Sequence, residues 1–142
     1  DLVLANHVLY YVKDLAQTLD QLCASLCPGG KLLVAMAGWD NALMQLWQIG
    51  FGWLGRPVPY FAAEDVEAEL SRRGGRPRKS TAAYELRFPD SIENRLKILR
   101  FLFADHLQTI SADRLLKELD QYVRGGDVKV KTHSYHFTVE RS

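Results

Sequence analysis

The residue types best suited to chemistry cluster near the start of the chain. Asn6 and His7 follow the apolar run Leu2-Val3-Leu4-Ala5, which has the composition of a strand covered on both faces. In an open parallel sheet, ligands gather at the carboxyl ends of the strands. That places Asn6 and His7 at such a rim. An imidazole titrates near neutral pH, so His7 can accept a proton from a bound molecule; it can equally do no more than hydrogen-bond backbone at a strand end. Tyr10 and Tyr11 can wall a site and hold a cation against their rings, or simply pack at a helix entrance. Trp39 follows a second apolar strand at the same rim, as pocket wall or as core. His133 and Tyr135 lie near a point where the last strand changes its apolar parity, so one or both can be re-aimed toward a site. His106, His133 and His136 lack a compact ligand spacing, and no metal site is expected.

These residues need a scaffold, and the pattern supplies one. The first strand covers residues 2–5. Asp14 is an N-cap with Gln17 three positions on, and Leu15, Leu19, Leu22 and Leu26 mark one helical face. Pro28-Gly29-Gly30 stops that helix, and Lys31-Leu32-Leu33-Val34-Ala35-Met36 is a second buried strand. Strand, helix and strand make a right-handed crossover between parallel neighbours. Asp40 is expected to cap a helix with Leu43, Leu46 and Trp47 inward. That helix gives way to a Gly-, Pro- and aromatic-rich loop over 50–60, the composition of a lid or binding wall. Glu64 and Asp65 open a short helix closed by Arg72, Arg73 and Gly74. Residues 81–88 read as a strand stopped by Pro89. Two helices follow, one on Ile92, Leu96, Leu99 and Phe103. The other is capped by Ser111 and ended by Gly125-Gly126. The last strand covers 128–140, with a bulge predicted between Lys131 and Ser134 because its apolar positions change parity.

Composition narrows the function classes. The chain has 142 residues, 47% of them hydrophobic, enough for one compact domain with a real core. A net charge of +1 argues against a nucleic-acid or membrane-surface footprint. The basic segment Arg72-Arg73-Gly74-Gly75-Arg76-Pro77-Arg78-Lys79 is either an anion patch or a solvated helix end. Cys23 and Cys27 are four apart and share a helix face, where a disulfide would distort the helical geometry. They read as buried free thiols in a reducing compartment, with a cytoplasmic location expected.

Two motifs resemble a known family. Asp1-Leu2-Val3-Leu4-Ala5-Asn6-His7-Val8-Leu9-Tyr10-Tyr11-Val12-Lys13-Asp14 looks like the fourth strand and following turn of class I S-adenosylmethionine-dependent methyltransferases. Leu26-Cys27-Pro28-Gly29-Gly30-Lys31-Leu32-Leu33-Val34 resembles their fifth strand and its approach. A closer likeness is to histamine N-methyltransferase and related small-molecule enzymes. It rests on Leu9-Tyr10-Tyr11-Val12-Lys13-Asp14, Gly38-Trp39-Asp40 and Ser80-Thr81. The resemblance implies an α/β fold, the carboxyl-terminal half of a Rossmann-like sheet, with parallel strands and an antiparallel last strand beside the fifth. It implies S-adenosylmethionine as cofactor, with Ala5, Asn6 and His7 lining its methionine end and facing the methyl group. His7 is then the base that keeps an amine substrate neutral, and Tyr10, Tyr11, Trp39, His133 and Tyr135 are substrate contacts.

The chain departs from the family in one large respect. The glycine-rich loop after the first family strand and the acidic residue after the second are not in it. Gly29-Gly30, Gly74-Gly75 and Gly125-Gly126 all read as helix stops. Residues 1–142 are therefore expected to form a single partial domain without the main cofactor grip. Two functions stay open: methyl transfer to a small molecule, with this chain on the substrate side, or a non-catalytic half-domain serving as a dimerisation or interaction module. A bare central strand invites pairing, so self-association or pairing with an amino-terminal half is expected.

Overall fold

A computed structural model describes residues 1–74 and 77–141. The elements run β1 (Leu2–Asn6), α1 (Leu15–Ala24), β2 (Lys31–Met36), α2 (Ala42–Trp53), α3 (Ala63–Arg72), β3 (Arg78–Pro89), α4 (Ile92–Phe103), α5 (Ala112–Glu118), β4 (Val123–Arg124) and β5 (Asp127–Glu140). A short 3-10 turn, Leu9–Tyr11, joins β1 to α1. The strands form one sheet in the order β1-β2-β5-β3, with β4 paired to β5. β1 and β2 are parallel, from Leu2 opposite Lys31 to Asn6 opposite Ala35. β2 and β5 are antiparallel, from Lys31 opposite Glu140 to Met36 opposite Tyr135. The α/β class and the antiparallel last strand are thus as the sequence implied.

The chain divides into two compact units. The first comprises Asp1–Trp39, Tyr60–Ala82 and His133–Ser142. In it, Asp14 caps α1 by accepting the Gln17 amide at 2.8 Å, and α1 packs against α3. Leu19, Leu32, Val34, Val66 and Phe137 are fully buried there, each contributing about 1.5–3 kcal/mol by leaving water. Asp65 accepts the Ala62 amide at 2.7 Å and starts α3.

The second unit comprises Asp40–Pro59 and Ala83–Thr132. Here α2, α4 and α5 pack on one another. Trp47 donates its indole N–H to the Leu102 carbonyl at 2.6 Å. Arg95 ties Asp90, Asp120 and the Leu116 carbonyl together.

Several expectations are corrected. The cap of α2 is Asn41, not Asp40: its carboxamide oxygen accepts the amides of Leu43 and Met44. α2 also runs on to Trp53, through glycines that had suggested a loop from residue 50. Gly50 is helical because a close neighbour requires it: an added Cβ would lie 2.7 Å from the Phe103 ring. Gly125 and Gly126 do not end a helix. With φ of 61° and 82° they turn the β4–β5 hairpin, the backbone of a two-residue type I′ turn; Val123 faces Val128 across it. β3 begins three residues earlier than predicted.

β5 runs from Asp127 to Glu140, and its buried residues change parity along it, from Val128, Val130 and Ser134 to Phe137. Finally, α1 stops at Ala24, which leaves Cys27 exposed beyond it and Cys23 half-buried.

Candidate functional site

The rim of the first unit is built where β1 and β2 end. β1 stops at Asn6, and His7 then adopts a left-handed backbone (φ 53°), a conformation that costs a non-glycine residue of order 1–3 kcal/mol. The ladder holds it there: the His7 amide donates to the Ala35 carbonyl at 2.8 Å. The sharp turn swings the chain into the 3-10 turn that carries Tyr10. Tyr10 is buried, and its hydroxyl does two jobs. It accepts the Ala37 amide at 2.8 Å and lies 2.7 Å from His7 Nδ1. The ends of both parallel strands are thereby fastened through one phenol.

Aromatic groups continue outward. The His7 and Tyr10 rings are stacked with centroids 6.0 Å apart. Tyr10 meets Tyr11 edge-on at 5.9 Å, and Tyr11 meets Tyr60 edge-on at 4.9 Å. The segment entering α3 closes this side: the Phe61 amide donates to the Tyr10 carbonyl at 3.1 Å and the Ala63 amide to the Ala37 carbonyl at 3.0 Å. Trp39 follows β2, half-buried, its amide held by the Glu64 carboxylate at 3.1 Å.

His136 joins the rim from the other side. Asn6 lies opposite Ala35, and Ala35 lies opposite His136. The three therefore form one lateral row, their side chains on one sheet face. Ser134, buried two residues back on the same face, places its hydroxyl 3.1 Å from His136 Nε2. Burial, and then the proximity of His136, lowers the His7 pKa below the ordinary histidine value. His7 is therefore neutral at pH 7, as a base must be.

Of the sequence candidates, Ala5, Asn6, His7, Tyr10 and Tyr11 fall on this rim, with Ala5 buried in β1. His133 and Tyr135 stand on the opposite sheet face from His136, since neighbours in a strand alternate. They meet edge-on at 5.2 Å, and Lys79 sits 4.3 Å above the Tyr135 ring. Sequence reasoning considered His136 only as a metal ligand and Tyr60 only as part of the 50–60 loop. The signal for His136 is Ala35, a small residue at the end of an otherwise bulky strand, which leaves room beside it.

Three cations of the basic segment are engaged internally. Arg73 pairs with Asp20 at 2.6 Å and donates to the Ala16 carbonyl. Arg72 pairs with Glu69 and Lys79 with Glu67. Gly75 and Arg76 lie outside the described residues. Among the described residues, no cluster of three or more His, Cys, Asp or Glu could hold a metal ion, and no helix is long and apolar enough to cross a membrane.

No family model and no curated protein matches this chain. Solved structures do. Over 99% of its length the chain superimposes on a crystal structure of a "putative methyltransferase" from Bacillus halodurans C-125, with a TM-score of 0.52 and 11% sequence identity. The chain spans 63% of the length of that structure. At this identity the likeness establishes a shared fold alone: a mixed α/β sheet with helices packed on it.

Proposed function

We propose that this chain is the substrate-facing part of an S-adenosylmethionine-dependent methyltransferase that acts on a small molecule, with an amine as the substrate class. The observation that carries the reading is the rim at the carboxyl ends of β1 and β2. There a left-handed His7, neutral because its pKa is lowered, sits beside the aromatic run Tyr10, Tyr11 and Tyr60 in a sheet of the methyltransferase type. The amine preference rests on the motif likeness to histamine N-methyltransferase and on His7 as a base. With its proton on Nδ1, His7 can donate to the Tyr10 oxygen and keep the Nε2 lone pair for an incoming ammonium proton. The aromatic edges suit a cation.

The residues fit one end of the cofactor. When bound, S-adenosylmethionine supplies an electrophilic methyl group, and Ala5, Asn6 and His7 would line its methionine portion. Among the described residues, the glycines with positive φ (Gly29, Gly55, Gly74, Gly125 and Gly126) lie after helices or in the hairpin, so none forms a cradle at this rim. The remaining grip is assigned to a segment outside this chain. The outer edge of β1 supports that assignment, because Leu2 and Leu4, on one face of an outer strand, are 65% and 60% exposed, and Val8 is 58% exposed. Each large aliphatic left in water forgoes about 1.5–3 kcal/mol.

Calorimetry with S-adenosylhomocysteine tests the reading. Saturable binding by the chain joined to its complementary segment, lost in His7→Ala, is the expected result. No heat at millimolar ligand overturns it. A second reading is favoured by the same bare edge: a half-domain that pairs with another copy of itself through β1. Sedimentation at micromolar concentration separates the two. A dimer dispersed by Leu4→Lys, without cofactor binding, would favour the interaction module.

A further inference from the structure

The second unit holds a cleft that the proposed methyl transfer does not use. It encloses about 460 Å³ and is lined by Glu85, Gln121, Tyr122, Arg124, Lys129 and Lys131, a volume within the range of small-molecule sites, roughly 300–1,000 Å³. The fold brings its cations together. Lys129 and Lys131 are two apart on β5, so they share a face, while Val128 and Val130 between and beside them are buried on the other. The Gly125-Gly126 turn folds β4 back on β5, with Arg124 opposite Asp127, and so returns the guanidinium to the same region.

What sets this cleft apart is three cations on one concave surface. Elsewhere in the unit Arg87 pairs with Asp127, Arg95 with Asp90 and Asp120, and Lys97 with Glu93, while Arg114 lies over the Trp53 ring. Among the described residues, none of Arg124, Lys129 and Lys131 lies within ion-pair distance of a carboxylate. Three cations face one carboxylate, Glu85. Tyr122, half-buried with its pKa raised by burial and by Glu118, keeps its hydroxyl proton and remains a donor. Three convergent cations that repel one another are stabilised by an anion that bridges them.

We infer that this cleft binds a small polyanion, an organic phosphate or a polycarboxylate, through Arg124, Lys129 and Lys131. A concave site of this size, on a chain with a net charge of only +1, suits a small molecule better than a nucleic-acid strand, whose binding needs an extended basic stripe. The inference is independent of methyl transfer.

Titrating the ¹⁵N-labelled chain with pyrophosphate, and separately with citrate, tests it at low salt. Saturable shifts confined to the amides of residues 121–124 and 129–131 are expected with at least one probe, and the tighter probe identifies the class of anion. Lys129→Gln/Lys131→Gln should weaken binding about tenfold or more, with the spectrum otherwise preserved; Arg124→Gln provides a second, independent reading. Shifts that are non-saturable or spread over the whole surface overturn the inference. So does a single-stranded oligonucleotide that binds this face more tightly than either small anion.

Discussion

Removing one oxygen from Tyr10 interrogates the rim most directly. Tyr10→Phe keeps the buried ring and deletes the hydroxyl that accepts the Ala37 amide at 2.8 Å and faces His7 Nδ1 at 2.7 Å. The Ala37 amide belongs to a buried residue, so it is left without this acceptor in a place water reaches poorly. An unsatisfied buried donor costs about 1–3 kcal/mol. A loss near 2 kcal/mol is therefore expected, a fall in Tm of about 6–8 °C for a chain of this size. Urea denaturation of the purified variant, read on the transition that unfolds the first unit, measures it. Tyr11→Phe is the control, because Tyr11 is exposed. The variant should also release the His7 ring, visible as a changed histidine titration by NMR. A Tyr10→Phe protein within about 0.5 kcal/mol of wild type, with His7 titrating unchanged, would refute the role given to this phenol.

Other perturbations follow from the same structure. The folded state holds the His7 pKa below its unfolded value, so the unfolded chain binds the proton more tightly; stability is full above about pH 6.5 and falls as pH drops through the lowered folded value. His7→Gln should flatten that slope in denaturant midpoints measured from pH 8 down to about 5. Gly50→Ala places a Cβ 2.7 Å from Phe103, and overpacking of this kind should cost about 1–3 kcal/mol in chemical unfolding despite the better helix propensity of alanine. Ala104 sits at φ 44° and ψ −126°, where glycine is at ease, so Ala104→Gly should raise stability by about 1 kcal/mol. Asn41→Ala removes the α2 cap and the bond to the Tyr84 hydroxyl, and a loss of about 0.5–2 kcal/mol is expected from the cap alone.

What the sequence disclosed was governed by how local the signal is. β1 and β2 were legible because each is a short unbroken apolar run, and β2 is preceded by Pro28-Gly29-Gly30. The cap of α1 was legible because Asp14 and the amide it captures are three residues apart. Glycine was misread where its purpose is set by distant residues. Gly50 is small because Phe103 lies against it, and Gly125-Gly126 turn a hairpin because Val123 has Val128 to pair with. Composition alone makes each a helix breaker.

The rim itself was half legible, and the division is instructive. Asn6, His7, Tyr10 and Tyr11 follow one strand end, so a single inference about where parallel strands terminate places them all. His136 is 129 positions from His7, and only the register of two strand pairs, Asn6 to Ala35 and Ala35 to His136, makes them neighbours. Within 128–140, reasoning from parity singled out His133 and Tyr135, because they lie near the predicted bulge. But the face presented to a polar rim is the one that can carry Ser134 and His136, which hydrogen-bond to each other. In a strand that is covered on both faces at one end, hydrophobicity identifies the core face, and the polar residues between identify the site. His136→Gln offers the corresponding test: it should move the His7 pKa upward, toward its ordinary value, because one of the two influences that lower it is removed. An unchanged His7 titration in that variant would separate the two histidines and return His136 to a purely structural role.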